Sequence, residues 1–359
     1  MTAYAATLES IQEAQNRIAP YAHRTPVLTC STLDKLAGRE LFFKCENLQK
    51  VGAFKFRGAC NAILRLPAEI ASQGVVTHSS GNHAQAVALA ASIRGIDAHI
   101  VMPTNAPHVK RRAVEGYGAR IYPCEPTLAA REALAAEVIE KTGATLIPPY
   151  DHPDVIAGQG TVGLELMEQV PSLQGSSWAR GGSLPDTDSD AQQRSTAATG
   201  VPARRDDERT ELALDAIVAP VGGGGLISGV SIAARGLDPV IRLFAAEPIG
   251  ADDAARSLAA GRLIKQTNPH TIADGLLTSL GQHTWPIIRD HVERIITVAD
   301  DQIIAAMRLV WERMKIIIEP SSAVAVAAVL SDEFKSLSGI ARVGVILSGG
   351  NVDVRRLIG

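Results

Sequence analysis

Short apolar, β-branched runs separated by longer helical patterns constrain this chain more than any other feature. L-F-F-K-C (41–45), G-V-V-T-H (74–78), A-H-I-V-M (98–102) and A-R-I-Y-P (119–123) read as buried strands. So do D-A-I-V-A-P (215–220), I-R-L-F-A-A-E (241–247), R-I-I-T-V (294–298) and R-V-G-V-I-L (342–347). Helical patterns fall between them, at 82–94, 127–141, 225–235, 301–314 and 321–330. A strand buried on both faces shows no polar alternation, and a parallel neighbour needs a crossover that a helix supplies. The pattern predicts an α/β protein with parallel sheets covered by helices. At 359 residues and 46% hydrophobic composition, the chain has enough material for two domains.

Loops at the carboxyl ends of parallel strands are where such folds place chemistry. Three conspicuous loops sit there. S-S-G-N-H (79–83) follows the strand 74–78, V-G-G-G-G-L (221–226) follows 215–220, and S-G-G-N (348–351) follows 342–347. A fourth motif, G-A-F-K-F-R-G-A (52–59), puts Lys55 in a loop before a helix among Ala53, Phe54 and Phe56. Apolar neighbours disfavour an ammonium and favour a nucleophilic amine. The run Gly222, Gly223, Gly224, Gly225 exposes bare backbone N–H groups before a helix, a cradle for an anion. It lacks the G-x-G-x-x-G and G-K-[ST] signatures of dinucleotide and Walker loops. Ser79, Ser80, Gly81, Asn82 and His83 offer hydroxyl, amide and helix N-terminal groups to a carboxylate, or a plain helix cap. Ser348 is set to bond a heteroaromatic nitrogen, or to make a turn. An amine and a phosphate cradle in one α/β chain suit pyridoxal 5′-phosphate, which acidifies the Cα proton of an amino acid.

Composition narrows the classes. A formal charge of −3 gives no basic field for nucleic acid. No apolar run reaches the length of a membrane span, and the N-terminus lacks the pattern of a signal peptide, so a cytoplasmic enzyme is expected. Cys30, Cys45, Cys60 and Cys124 have neither zinc-site nor disulfide-framework spacing and read as reduced thiols. Residues 174–211 are rich in Ser, Gly, Asp, Arg and Thr and read as a disordered surface insertion.

With these loops in place the chain resembles the fold-type II pyridoxal-phosphate enzymes (tryptophan synthase β-like). The nearest likeness is to the serine racemase and serine/threonine dehydratase family. It runs from about Thr25 to Val354. It rests on T-P-V-L-T (25–29), F-F-K-C-E (42–46), T-H-S-S-G-N-H (77–83), I-A-G-Q-G-T (156–161), T-I-A-D-G (271–275), T-W-P-I-I-R-D (284–290), W-E-R-M-K (311–315) and I-E-P (318–320). The resemblance implies two open parallel-sheet domains with the active site in their cleft. A large domain would take 1–72 and 152–359, and a small one, 73–151, would close over the substrate. It implies Lys55 as the Schiff-base lysine and base on one face of the cofactor, and Ser80 as the proton donor on the other. Asn82 would bond the ring hydroxyl, Phe54 pack on the ring, Gly222–Gly225 hold the phosphate, and Ser348 face the pyridine nitrogen. It further implies a Mg²⁺ or Ca²⁺ site at Glu247, the Ala251 carbonyl and Asp253. An ATP site at Lys50, Gln85, Tyr117 and Asn351, and a homodimer, belong to the same expectation.

Departures from the serine racemase pattern, and a pair of side chains, bring in a related activity. L-I-P-P-Y-D-H-P-D-V-I-A-G-Q-G-T (146–161) is similar to microbial threo-3-hydroxyaspartate ammonia-lyases, and Ala84 stands where serine racemases often have glycine. Arg131 and Thr278 fall where the family contacts a second carboxylate, and an Arg holds a carboxylate through two hydrogen bonds. Small hydroxy amino acids are the expected substrates, with Ser80, Asn82 and His83 at the α-carboxylate end. A β-replacement synthase would read T-S-G-N-T-G where this chain reads S-S-G-N-H-A.

Overall fold

The computed structural model describes residues 4–79, 81–106, 108–174 and 214–353. Ser80 and, from 175 onward, the stretch expected as an insertion lie outside the described residues. Ten strands are numbered along the chain: β1 Val27–Leu28, β2 Glu40–Cys45, β3 Val75–His78, β4 Ala98–Pro103, β5 Arg120–Cys124, β6 Thr145–Leu146, β7 Ala216–Pro220, β8 Arg242–Pro248, β9 Val292–Val298 and β10 Arg342–Leu347. They form a six-stranded sheet in the order β1-β2-β10-β7-β8-β9 and a four-stranded sheet in the order β5-β4-β3-β6. All pairings are parallel except β1 with β2. The expected parallel sheets are therefore present, with one antiparallel edge strand that the sequence pattern did not announce. β1 and β6 are two residues long, too short for periodicity to register.

Burial explains the order. β2, β7, β8 and β10 are buried along nearly their whole length, as parallel strands under helices must be. The helix Pro320–Leu330 packs on this sheet with Ser321–Val329 all buried, and it starts with Pro where the missing N–H costs nothing. The helices Lys55–Arg65, Pro153–Gln174 and Gly225–Leu237 stack closely through glycines. A Cβ on Gly158 would come 2.6 Å from the Arg57 carbonyl oxygen, and one on Gly229 would come 2.4 Å from that of Ile156. Helix starts match the sequence reading at Asn82 and Gly225. Gly81, rather than Ser80 or Asn82, occupies the cap position before Asn82.

The order β2-β10-β7 has one consequence for chemistry. The chain leaves the carboxyl end of β2 toward Lys55, of β10 at Ser348 and of β7 at Gly222. Three motifs far apart in sequence come from three adjacent strands.

Candidate active site

Lys55 is the first residue of its helix rather than part of the loop before it. The loop that delivers it is bent sharply, with Val51 at φ 55° and Gly52 at φ 67°. A Cβ on Gly52 would also fall 2.8 Å from Asn351 Oδ1, so this position needs glycine for both reasons. The β10 loop is stitched to it. Phe54 N–H donates to the Ser348 carbonyl at 3.0 Å, and Gly350 N–H donates to the Gly52 carbonyl at 2.9 Å. Ser348 is buried beside this seam. Lys55 Nζ lies 5.0 Å from the centre of the Phe54 ring and donates to the Pro149 carbonyl at 2.6 Å. Burial lowers its pKa to about 8, against the pull of Glu319. An appreciable fraction of the amine is thus neutral near physiological pH, as a nucleophile requires.

The glycine loop lies one strand away. Gly222, Gly223 and Gly225 are buried, and Gly224 sits in the left-handed region at φ 89°. Its left-handed conformation and the helix start at Gly225 aim backbone N–H groups off the end of β7, the arrangement that binds anions.

Asn82 connects the two sheets. Its amide donates to Glu319 Oε1 at 2.8 Å and accepts from Asn351 Nδ2 at 3.0 Å, while Asn351 Nδ2 also donates to the Val51 carbonyl at 2.6 Å. Asn351 therefore belongs to this network. Glu319, just before Pro320, is a site residue that sequence reading passed over. Burial raises its carboxyl to about 7, and its Oε2 is buried without a partner among the described residues. A Cβ on Gly349 would fall 2.7 Å from Glu319 Oε1 and 3.2 Å from Asn82 Nδ2. His83 donates its Nε2–H to the Ile147 carbonyl, 2.9 Å away, and its buried Nδ1 has no partner among the described residues. Burial, with Lys55 nearby, lowers His83 to about 3, so it is neutral at physiological pH.

Lys110, which the sequence did not single out, and the remaining sequence candidates spread around this centre. Lys110, on the helix His108–Gly116, bridges to Asp274 at 2.6 Å across the two sheets. Its Nζ lies 3.8 Å from where a Cβ on Gly81 would be. Arg131 lies on the helix Leu128–Thr142, and its charge reaches His78 at the end of β3 and Cys124 at the end of β5. Thr278 faces the phenol of Tyr150. Lys50 Nζ lies over the Phe56 ring at 5.7 Å. Gln85 is buried with an unpartnered Nε2. Tyr117 lines a small cavity of about 260 Å³ with Ala88 and Ser92.

Glu247 lies near the end of β8, and Ala251 and Asp253 lie in the turn and helix that follow it. The Glu247 carboxylate accepts from the N–H groups of Ala254 and Ala255 at 3.1 and 2.9 Å. Asp253 Oδ2 accepts from Leu280 N–H at 3.1 Å, while its buried Oδ1 has no partner. Burial raises Glu247 to about 8 and Asp253 to about 6. No three His, Cys, Asp or Glu side chains converge on a metal position among the described residues. A cation here would rest on two carboxylates, a carbonyl and water, a set suited to Mg²⁺ or Ca²⁺. All four cysteines are free, and no helix among the described residues is long and apolar enough to cross a membrane.

The family model of pyridoxal-phosphate dependent enzymes matches residues 18–177 and 192–349, which include Lys55, the glycine loop and Ser348. The chain belongs to the pyridoxal-phosphate dependent enzymes. A serine racemase from Dictyostelium discoideum is 51% identical over 97% of this chain and 95% of its own. A beta-hydroxyaspartate dehydratase from Paracoccus denitrificans is 43% identical over 99% of each. The solved structure of maize serine racemase superposes with a TM-score of 0.86 at 47% identity, covering 99% of this chain and 96% of that one. The cleft fits the cofactor of this family: it holds a depressed amine, a glycine loop at a helix N-terminus, and buried polar atoms at Glu319 and His83 that lack partners among the described residues.

Proposed function

We propose that the chain is a serine racemase/dehydratase. It would convert L-serine, or L-threonine, to the 2-oxo acid and ammonia, and L-serine to D-serine. The observation that carries the reading is the half-buried Lys55 amine, lowered to about 8 beside a buried glycine loop, in a chain 51% identical to a serine racemase. Lys55 would hold the cofactor's carbonyl carbon, Gly222–Gly225 its phosphate, Asn82 its ring hydroxyl and Ser348 its ring nitrogen, with Phe54 against the ring.

When bound, pyridoxal phosphate withdraws electrons from the substrate's Cα and makes its proton removable. The rest is done by the chain. Lys55 takes the Cα proton on one side, and Ser80 returns one on the other. Ser80, Asn82 and the first turn of the helix Asn82–Arg94 would hold the α-carboxylate, with His83 kept neutral beside them. Ser348 would face the ring nitrogen with a hydroxyl rather than a carboxylate, so it would supply no charge to keep that nitrogen protonated, and loss of the substrate's β-hydroxyl would compete with return of the proton to Cα. The small sheet closes over the cleft and excludes water.

Arg131 favours a second reading, L-threo-3-hydroxyaspartate ammonia-lyase, because its charge is felt by His78 and Cys124 at the ends of β3 and β5 and the 43% identical relative is a beta-hydroxyaspartate dehydratase. We further read the chain as a cytoplasmic homodimer with a Mg²⁺ or Ca²⁺ ion at Glu247, the Ala251 carbonyl and Asp253. The unpartnered Asp253 Oδ1 supports the ion. The unpartnered Gln85 Nε2 supports ATP as an effector.

The test is a competition between equal L-serine and L-threo-3-hydroxyaspartate, with pyruvate, oxaloacetate and D-serine quantified. Pyruvate and D-serine in comparable amounts assign the racemase/dehydratase; oxaloacetate alone assigns the ammonia-lyase. Ser80→Ala should abolish D-serine while sparing most elimination from the L-substrate. Equal loss of both removes the two-base assignment.

A further inference from the structure

The connector from β6 to the helix Pro153–Gln174 crosses the cleft at Pro149, Tyr150 and Asp151. Each of these consecutive residues engages a different part of the site. The Pro149 carbonyl takes the Lys55 amine at 2.6 Å. The Tyr150 ring lies against the glycine loop: a Cβ on Gly223 would fall 2.3 Å from ring atoms, and one on Gly225 would fall 3.0 Å from Tyr150 Cβ. Glycine at both positions leaves the space that the tyrosine fills. Asp151 grips the segment behind the loop. Its Oδ2 accepts from Gln282 N–H at 2.9 Å and its Oδ1 from His283 N–H at 2.8 Å. The next residue, Thr284, donates its hydroxyl to the Gly223 carbonyl at 2.8 Å. Gly223 is thus held from two sides, by Tyr150 directly and by Asp151 through Thr284.

A cradle of backbone N–H groups binds a phosphate well only when the groups converge on one point. Consecutive glycines permit that geometry but give it no stiffness, because they lose the most freedom on being fixed. The stiffness has to come from neighbours. We propose that Tyr150 and Asp151 are positioning residues for the cofactor's phosphate, bracing the Gly222–Gly225 loop in its receiving conformation. This rests on the reading of that loop as the phosphate cradle. The contact with Gly223 is made by ring carbons, so the Tyr150 hydroxyl is not needed for it.

The test compares pyridoxal phosphate with pyridoxal, which carries the same ring and aldehyde but no phosphate. Each is titrated into the apo protein and followed by absorbance. Tyr150→Ala should weaken pyridoxal phosphate by about tenfold or more, one decade being about 1.4 kcal/mol, and leave pyridoxal unchanged. Asp151→Ala should shift the ratio the same way by less, and Tyr150→Phe should restore the wild-type ratio. Wild-type ratios in both alanine variants overturn the proposal. So does equal weakening of both ligands, which marks a general packing role. If the wild-type protein binds the two ligands alike, the phosphate-cradle reading itself fails and the proposal falls with it.

Discussion

Lys55 and Arg57 leave one helix two residues apart and enter opposite electrostatic environments. Arg57 is buried among Glu46, Glu165 and Lys44. Its guanidinium donates to Glu46 Oε1 and Oε2 at 2.8 Å each and to Glu165 at 2.7 and 2.9 Å. Lys44 is equally buried and spends its ammonium protons on the Thr25 carbonyl, Glu165 and Gln169 at 2.7, 2.5 and 2.8 Å. Burial alone would lower Arg57, but Glu46 and Glu165 outweigh it and raise its pKa. Two cations meet two anions, and nearly every donor is answered. Lys55 has one acceptor among the described residues, a carbonyl, and burial wins. A complete buried network fixes structure, and an incomplete one holds reactivity in reserve. The helix carries both: the quartet anchors it to β2 and to the helix Pro153–Gln174, and its first residue is left short of partners.

Removing each cation breaks the comparison most directly. Lys55→Ala should cut turnover by about a thousandfold or more, since general acid–base catalysis alone contributes up to about 10⁴. The apo protein should melt no lower, because no satisfied network is lost; steady-state rates and apo melting curves check both. Arg57→Ala should do the reverse to stability, costing about 3–5 kcal/mol in urea unfolding by stranding Glu46 and Glu165. The double variant Arg57→Met/Glu165→Leu should lose less than the two single losses added together.

Glu319 sharpens the contrast through pH. Its folded pKa, about 7, stands above the ordinary glutamate value of 4.5. The native state therefore binds the extra proton between pH 4.5 and 7, and apo stability falls as pH rises through that window. Glu319→Gln should flatten that slope, worth on the order of 3 kcal/mol at one kcal-scale step per pKa unit. Urea midpoints across the window measure it. The smallest effect is expected at Arg131, whose replacement by Ala should raise KM for hydroxyaspartate by about 10- to 100-fold while KM for serine changes little, the loss of a charged hydrogen bond being worth about 1.5–3 kcal/mol.

Much of the fold and one side of this contrast were legible in the sequence. Eight strands were readable because parallel strands under helices are unbroken apolar runs, and the glycine loop stood out because it ended one of them. Lys55 was legible from its apolar neighbours. Glu319 was not. An acid before Pro320 reads as a helix cap, and only the packing of β10 and the helix Pro320–Leu330 brings it to Asn82 at 2.8 Å. Tyr150 was hidden for the same reason, since its partner Gly223 is 73 positions away in the chain. The buried quartet was equally silent: Lys44, Glu46, Arg57 and Glu165 look like ordinary surface charges until β2 and two helices enclose them. Local pattern reveals elements and their ends, whereas pairing across long separations depends on the assembled sheet.

The position of β10 carries a consequence for the birth of the protein. It is the last strand along the described chain, and it lies between β2 and β7 near the middle of the large sheet. During synthesis the earlier strands wait with a gap between them. The pocket closes only when Arg342–Leu347 threads into it and Ser348 meets Phe54. Pairing β10 with β2 spans about three hundred residues, a slow kind of closure. A nascent chain stalled before that point has Lys55 and all four glycines in hand and still nowhere for the cofactor to dock.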